Sequence, residues 1–285
     1  MDFKTPEFSQ KSAVDRFVRE QDSCLCDQTF GNIFCWSAAF DVKLAVADGG
    51  FIVRWGRRCT VPIGENRKAL LEQLLKAGET QFLGIDDRTK CWMEEAFPGQ
   101  FSFTELRNNA DYIYDRESLE NLKGKKLASK RNHIHYFEEH FDWEVRSIDE
   151  TNLEDVKAFN DEWCRKNHCH AEQSLEWEGC AVRRALHHYQ KLDYRGIALY
   201  ANGKICAFTC GESLGKEGFC VHVEKADSEI RGAYPMVNRE FVKTLPPEIR
   251  WINREDDTGD EGLRKAKLSY RPAILLMKYK AEVIK

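Results

Sequence analysis

Apolar residues follow two spacings along the chain, and each spacing predicts one kind of element. In residues 65–77 the leucines recur every three or four positions, which predicts an amphipathic helix. Apolar-rich segments flank the sequence DGG at 48–50 and the sequence NG at 202–203, and such turns predict β-hairpins. The chain is therefore expected to alternate helices with short strands, and residues 273–284 are expected to end it as one edge strand.

The order of these elements repeats in the two halves. Each half begins with helices, continues with a hairpin and a further strand, and then has a helix, a short strand, an acidic turn and a helix. The acidic turns are alike, since LGIDDRTKCW at 83–92 corresponds in place to INREDDTGDEGL at 252–263. A repeat of this length predicts duplicated domains, although two independent α+β domains would give the same order.

Composition and charge limit the class of protein. Of the 285 residues, 42% are hydrophobic and 32% are charged, which is typical of a globular protein with a substantial core. The net charge of −4 does not suggest a wholly basic nucleic-acid binder, but it leaves room for a local basic patch. The sequence shows no run of about 20 apolar residues and no secretory signal, so it predicts no transmembrane segment and a cytoplasmic location.

The eleven cysteines fit the reduced thiols of a cytoplasmic protein. Two groups are close in sequence: Cys24 with Cys26, and Cys164 with His168, Cys169 and His170. Neither group has the two spaced ligand pairs that are typical of a structural zinc site. We therefore predict no metal site from the sequence, and we interpret these side chains as free thiols and ordinary histidines.

A basic cluster begins the amphipathic helix that is predicted over residues 125–141. The cluster consists of Lys125, Lys126, Lys130 and Arg131. Cations at a helix N-terminus oppose the helix macrodipole by about 0.3–1 kcal/mol each, so helix stability alone does not explain them. They are expected either to bind a phosphate or another anion at the helix start, or to form a solvated face with ion pairs to the other domain.

The element order of each half resembles the GNAT acyltransferase fold. Segments 114–137, 222–241 and 252–272 are similar to a bacterial family of unknown function, which is related to the C-terminal domain of phosphatidylglycerol lysyltransferase. The resemblance implies an α+β (mixed α/β) fold with two tandem GNAT-like domains, each a mixed, mostly antiparallel sheet flanked by helices. It implies a non-catalytic domain at 1–118 and a candidate acyl or aminoacyl transfer site in 119–285.

The same resemblance identifies a candidate donor site. In GNAT enzymes a loop after the central strand holds the pyrophosphate of coenzyme A, and here that loop contains Arg231, Gly232 and Ala233. Glu229 and Tyr234 depart from the family pattern at the two ends of this loop. The cofactor therefore stays open between acyl-CoA and an aminoacyl-tRNA bound through the basic cluster, and a plain turn is the alternative for Gly232.

The resemblance also points to the strand VHVEKA at 221–226 as the place of reaction. Alternation along this strand puts His222 and Glu224 on one face. By analogy with GNAT enzymes, Glu224 would be the general base, and His222 is a second candidate for that role. A partly solvated face with ion pairs is the alternative.

The charged stretch after the strand WIN is the candidate acceptor site. In the GNAT fold this strand end faces donor and acceptor, so Asn253, Glu255 and Asp256 are expected to bind the ammonium group of a substrate. Asp257 or Thr258 is expected to cap the following helix. A surface ion-pair network is the alternative for the charges before the turn.

Two functions of different classes follow from these observations. The first is a GNAT-like transferase that moves an acyl or aminoacyl group from aminoacyl-tRNA or acyl-CoA to an amine or hydroxyl acceptor. A small molecule, a peptide or a lipid headgroup would supply that acceptor. The second is a catalytically inactive sensor that binds its ligand in an anion-binding cleft between the domains. Activity that is lost in Glu224→Gln while ligand affinity persists would favour the enzyme.

Overall fold

The computed structural model describes residues 1–169 and 173–284. Its α-helices are α1 (Lys11–Gln21), α2 (Phe30–Trp36), α3 (Arg67–Lys76), α4 (Asp87–Ala96), α5 (Arg116–Asn121), α6 (Ala128–His140), α7 (Leu153–Lys166), α8 (Gln173–His187), α9 (Ala233–Thr244) and α10 (Glu261–Leu268). Its strands are β1 (Val42–Ala47), β2 (Gly50–Trp55), β3 (Arg58–Thr60), β4 (Gln81–Ile85), β5 (Phe101–Glu105), β6 (Asp111–Asp115), β7 (Trp143–Ser147), β8 (Arg195–Ala201), β9 (Lys204–Leu214), β10 (Gly218–Ala226), β11 (Trp251–Asn253), β12 (Ile274–Leu276) and β13 (Tyr279–Val283). The helix predicted over 65–77 is α3, and both predicted hairpins form, as β1–β2 and β8–β9.

The strands form two sheets. The first has the order β1-β2-β3-β4-β13-β5, and the second has the order β12-β6-β11-β10-β9-β8-β7. Each sheet contains a parallel pair, β3–β4 in the first and β10–β11 in the second, among antiparallel neighbours. The predicted class, α+β with two mixed and mostly antiparallel sheets flanked by helices, is confirmed.

Each half of the chain supplies one strand to the sheet of the other half. β6 follows β5 in sequence but lies between β11 and β12 in the second sheet, and β13 follows β12 but lies between β4 and β5 in the first. The division into domains 1–118 and 119–285 stays a prediction. β6 lies before this boundary but joins the second sheet, and β13 lies after it but joins the first. The prediction of one edge strand over 273–284 is wrong, because Met277 and Lys278 separate the edge strand β12 from the interior strand β13.

The two halves also share an apolar core. Phe17, Phe30 and Phe51 of the first half belong to the same buried cluster as Tyr194 and Phe208 of the second. A further buried cluster packs against the first sheet. Another packs between the second sheet and helices α6 and α9. Because each fully buried aromatic or aliphatic side chain contributes about 1.5–3 kcal/mol, the shared cluster holds the two sheets in one arrangement.

β10 and β11 separate beyond a short pairing, and this opening positions the site. The two strands pair in parallel over residues 218–220 and 251–253, after which β11 ends and β10 continues to Ala226. On its other side β10 pairs with β9, with a register shift between Val221 and Val223. The opening therefore lies directly beside a β-bulge.

Candidate functional site

The bulge in β10 separates the two side chains that simple alternation places together. Because β10 carries one extra residue at this point relative to β9, His222 and Glu224 lie on opposite faces of the sheet. His222 contacts Glu212 of β9, on the face covered by α2, whereas Glu224 accepts a hydrogen bond from Asn238 of α9. The prediction that His222 and Glu224 share a face is therefore wrong.

His222 lies between two carboxylates. Its Nε2 is 2.8 Å from Glu212 Oε1 and its Nδ1 is 2.7 Å from Glu255 Oε1, and 8% of its side chain is exposed. Glu212 also accepts the backbone N–H of Gly31 at 2.9 Å. Burial acts to lower the pKa of His222, but the Cys220 sulfur and the two carboxylates raise it well above its ordinary value. Each ring nitrogen of His222 thus faces a carboxylate oxygen.

A buried lysine anchors a second cluster, which the sequence reasoning missed. Lys278 Nζ is 2.8 Å from Asp111 Oδ1 and 2.7 Å from Asp27 Oδ2. Lys278 is 3% exposed and Asp111 is fully buried. Burial acts to lower the pKa of Lys278, but the two carboxylates raise it well above its ordinary value. The signal available in the sequence was a lysine inside the apolar run ILLMKY, since lysine is rarely buried without a partner.

Asn253 connects these two clusters. Its Nδ2 donates to Asp111 Oδ2 at 2.9 Å, and its Oδ1 accepts the backbone N–H of Glu255 at 2.7 Å. Polar contacts therefore run without a break from His222 to Lys278. We call the connected side chains the central network: Asp111, Glu212, His222, Asn253, Glu255 and Lys278. Two residues that were predicted to bind an acceptor, Asn253 and Glu255, belong to it.

Asp256 lies beside the central network and is half-buried. Its Oδ1 accepts a 3.2 Å hydrogen bond from the backbone N–H of Thr258. Burial raises the pKa of Asp256 to about 7, and the carboxylates of Asp27 and Asp111 add to this effect while Lys278 opposes it. A carboxyl group with a pKa near 7 is suited to proton transfer at neutral pH.

Glu224 forms an ion pair on the opposite face of β10. Its Oε1 accepts a 2.7 Å bond from Arg254 and its Oε2 accepts a 2.8 Å bond from Asn238. The Arg254 Nη1 atom is buried and has no hydrogen-bond partner among the described residues. The Arg254 guanidinium lies 4.7 Å from the ring centroid of Tyr270, and Lys130 Nζ lies 4.1 Å from the same centroid. We call Lys130, Arg254 and Tyr270 the cationic pocket.

The other basic residues at the start of α6 do not join this pocket. Lys125 and Lys126 are exposed in a 3-10 turn that precedes the helix. Arg131 donates to the carbonyl oxygens of Leu122 and Gly124, the latter at 2.8 Å, and so satisfies the backbone that follows α5. Of the four predicted anion-binding cations, Lys130 is therefore the one that the structure places beside Arg254.

The glycine of the candidate donor loop is needed for close packing. Gly232 has a φ of +93°, and a Cβ atom there would lie 2.3 Å from the carbonyl oxygen of His133 in α6. Its neighbour Arg231 is exposed and stacks over the ring of Tyr136, also in α6. The contact between the loop and α6 accounts for Gly232 without a ligand.

Backbone N–H groups of the same loop are already bonded within it. The N–H of Glu229 donates to the Asp227 side chain at 3.0 Å, and the N–H of Ala233 donates to the carbonyl oxygen of Ile230 at 3.1 Å. A pyrophosphate-binding loop needs such groups to be free to point at the ligand. The N–H groups of Glu229 and Ala233 are therefore not available to a pyrophosphate.

Asp257 is a buried ion-pair centre and does not cap a helix. Its carboxylate accepts bonds of 2.8 and 2.9 Å from Arg264 and a 2.5 Å bond from the Tyr112 hydroxyl. Burial acts to raise the pKa of Asp257, but these donors hold it below its ordinary value. The prediction of a cap at Asp257 or Thr258 is wrong, because α10 begins at Glu261 and Asp260 caps it.

Three side chains with metal-ligand chemistry meet at one end of the central network. Cys220 Sγ, a nitrogen of His222 and a carboxylate oxygen of Glu255 all lie within 4.8 Å of one another. Sequence spacing did not reveal this group, because Glu255 joins it from the neighbouring strand end. Of the cysteine and histidine cluster singled out in the sequence, His170 lies outside the described residues.

Comparison with known sequences decides the family. The family described as "Phosphatidylglycerol lysyltransferase, C-terminal" matches residues 20–282. The chain belongs to this family. The matched region includes both sheets almost completely and every member of the central network. The family resemblance drawn from segments 114–137, 222–241 and 252–272 is thus confirmed.

Three individual proteins are similar to this chain. A conserved protein of unknown function from Bacteroides thetaiotaomicron is 38% identical, with a TM-score of 0.93 over all of both chains. L-PGS from Bacillus licheniformis matches 98% of this chain and 92% of its own, with a TM-score of 0.65 and 14% identity. An uncharacterised protein of Mycoplasmoides gallisepticum is 25% identical over 223 residues, which are 76% of this chain and 69% of that protein.

The fold and the family agree with each other. The structure has the two mixed sheets flanked by helices that the resemblance implied. Within residues 1–169 and 173–284, no helix has both the length and the apolar character needed to cross a membrane.

Proposed function

We propose that the chain transfers an aminoacyl group from aminoacyl-tRNA to an amine or hydroxyl acceptor, in the opening between β10 and β11. The observation that carries this proposal is the central network, which buries charged side chains at the point where the two strands separate. Buried charges are costly unless they are paired, and even then apolar side chains of similar volume often serve stability as well. A dense charged network in an opening is therefore better explained by substrate chemistry than by folding.

The opening supplies groups that acyl transfer needs. Residues 218–220 of β10 pair with β11. Beyond them, the edge of β10 that faces β11 carries backbone N–H groups that can stabilise the oxyanion of the reacting carbonyl. Glu224, Glu255 and Asp257 are each held by a cationic partner, namely Arg254, His222 and Arg264. Asp256 instead accepts a backbone bond and lies at the open strand end. We therefore assign the removal of the acceptor proton to Asp256.

The cationic pocket supports recognition of the donor. Lys130 and Arg254 share the ring of Tyr270, and Glu224 is the carboxylate that Arg254 holds there. Arg254 Nη1 is a buried donor with no hydrogen-bond partner among the described residues, so an acceptor oxygen beside it would be stabilising. A phosphate at the aminoacylated end of tRNA would satisfy it. Acyl-CoA is a weaker candidate, because N–H groups of the loop before α9 bond within the loop.

Binding of the donor is the first test. We expect filter-bound aminoacyl-tRNA to dissociate progressively as salt rises, because phosphate contacts release counterions, and we expect acetyl-CoA not to displace it. Lys130→Met should weaken binding about tenfold, by loss of one buried charge-assisted contact of roughly 1.4 kcal/mol. Lys126→Met, which changes an exposed lysine in the 3-10 turn before α6, is the matched control and should change the affinity much less.

Turnover is the second test. Asp256→Asn should lower the transfer rate by about 10²–10⁴-fold, the usual contribution of a general base, while tRNA affinity is preserved. Asp155→Asn changes an exposed carboxylate of α7 and should leave the rate unchanged. Equal rates in Asp256→Asn and the native chain would remove Asp256 from the mechanism. Tight tRNA binding without product from any acceptor would instead favour the sensor.

A further inference from the structure

Cys220, His222 and Glu255 converge in a way that none of their structural roles requires. Cys220 Sγ lies 3.6 Å from His222 Nδ1 and 3.8 Å from Glu255 Oε1, and His222 Nδ1 lies 2.7 Å from Glu255 Oε1. Cys220 is fully buried and has no place in the proposed transfer reaction. A thiol, an imidazole and a carboxylate are the three side-chain ligands that zinc prefers in proteins.

The distances fit a tetrahedral centre with a small adjustment. Zinc bonds of about 2.3 Å to sulfur and about 2.0–2.1 Å to nitrogen or oxygen place sulfur about 3.5 Å from the other two ligands and nitrogen about 3.3 Å from oxygen. The two sulfur distances already lie near that value. The nitrogen–oxygen distance has to widen by about half an ångström, and Glu255 can move because its side chain is 23% exposed.

The surroundings of His222 match the outer shell of a metal site. Metal-bound histidines usually donate their other ring N–H to a carboxylate, which fixes the ring and strengthens its donor nitrogen. Here Glu212 takes that place on Nε2 at 2.8 Å, and the backbone N–H of Gly31 holds Glu212 at 2.9 Å. Glu212 is 5% exposed, so this support is rigid and shielded from water.

A dication at the same point leaves the net charge of the buried cluster unchanged. In the protonated arrangement, one imidazolium faces the carboxylates of Glu212 and Glu255 beside a neutral Cys220 thiol. A dication bound to the Cys220 thiolate, the neutral His222 ring and Glu255 leaves the buried cluster with the same net charge. Binding thus exchanges two protons for one dication and adds no buried charge.

We propose that Cys220 Sγ, His222 Nδ1 and a Glu255 oxygen bind a divalent transition metal of the zinc type. Three protein ligands leave one position open, as in zinc sites that hold a water or a substrate oxygen. The site adjoins the proposed transfer centre, but metal binding does not depend on tRNA or on turnover. Failure of either proposal is therefore distinguishable from failure of the other.

Anaerobic titration of the reduced, chelator-treated protein with Co²⁺ tests the proposal directly. We expect one equivalent to bind per chain, with a near-ultraviolet band from thiolate-to-cobalt charge transfer that Zn²⁺ abolishes by displacement. Cys220→Ser should remove the band and weaken binding at least tenfold. Cys206→Ser is the matched control, because Cys206 is also a fully buried thiol of the second sheet and should leave band and affinity unchanged.

A second variant protects the test against misfolding of Cys220→Ser. Glu255→Gln keeps the shape of a partly buried side chain and should weaken Co²⁺ binding while the thiolate band persists. Calorimetric titration of the native protein in buffers of different ionisation enthalpy should show about two protons released per metal. Absence of a thiolate band at saturating Co²⁺ would overturn the proposal, and so would a band that persists in a folded Cys220→Ser protein.

Discussion

The acidic turn after β4 and the acidic turn after β11 occupy the same place in their sheets but carry different chemistry. β4 and β11 are the second strands of the two parallel pairs, and α4 and α10 follow them. In the first turn Asp86 caps α4 by accepting the N–H of Thr89 at 2.8 Å, and Asp87 accepts a bond from Tyr279. A helix cap and one tertiary hydrogen bond therefore account for both carboxylates.

The second turn has further charges that capping does not use. Asp260 caps α10, as Asp86 caps α4. Arg254, Glu255 and Asp257 instead form ion pairs with Glu224, His222 and Arg264, and all three pairs lie in or beside the opening of the second sheet. The difference teaches that a shared place in the order of elements does not fix the chemistry of a turn, because only the second turn carries charged side chains beyond its helix cap.

The largest expected effect concerns the stability that the buried ion pair beside the second turn provides. Lys278→Met removes one partner of the buried ion pair with Asp111, so we expect the free energy of unfolding to fall by about 3–5 kcal/mol, measured by urea denaturation. The loss arises because the fully buried Asp111 carboxyl group loses its cationic partner. Lys280→Met, which changes a partly exposed lysine in the adjoining strand β13, should cost less than about 1 kcal/mol.

The double variant Lys278→Met with Asp111→Asn sharpens this result. Removing both charges leaves no uncompensated buried ion, so the double variant should be more stable than Lys278→Met alone. Additive losses would show that the pair is not coupled. The central network would then not be the tightly connected unit that the distances describe.

The order and type of the elements could be predicted from the sequence, whereas their assignment to sheets could not. Leucine spacing located α3, and the turns DGG and NG located two hairpins, because these are local signals. The exchange of β6 and β13 depends on which sheet each strand joins, and apolar alternation is the same in either sheet. The sequence 273–284 therefore read as one strand.

The candidate site could be predicted in part, because the sequence singled out some of the residues that the structure brings together but not how they are grouped. His222, Glu224, Glu255 and Asp256 all lie at the opening. Strand alternation failed at one point, since the bulge between Val221 and Val223 turns His222 to the other face. Lys278 and Asp111 were missed because their ion pair joins residues far apart in sequence, and isolated charges in apolar strands are easily taken as solvent-facing.

A glycine substitution compares the loop before α9 with an open turn. Gly232→Ala should destabilise the fold by about 1–3 kcal/mol more than Gly78→Ala, because both positions have positive φ but only Gly232 has the His133 carbonyl oxygen 2.3 Å from the new Cβ. Gly78 has open space around it. Thermal unfolding of the two variants measures the difference. Equal losses would mean that α6 moves freely away from the loop, which would reopen the loop to a phosphate ligand.

The pH dependence of stability tests the charge of Lys278. Its pKa is raised above the ordinary value of 10.5, so its contribution should be constant below that value. Above it the unfolded chain loses the lysine proton while the folded chain keeps it. The stability difference between the native chain and Lys278→Met should then shrink by about 1.4 kcal/mol per pH unit. A difference that grows between neutral and alkaline pH would contradict the ion pair.

The smallest expected effect concerns what the two turns have in common. Asp86→Ala and Asp260→Ala each remove one capping bond, so each should cost about 1 kcal/mol in urea denaturation. The two losses should be similar, because each carboxylate accepts one backbone N–H in the first turn of its helix. Neither should change the rate of transfer or the affinity for Co²⁺. Asp86→Ala could instead abolish transfer while its stability loss stays near 1 kcal/mol. The turn after β4 would then also take part in the transfer reaction, and the two turns would differ in sequence but not in function.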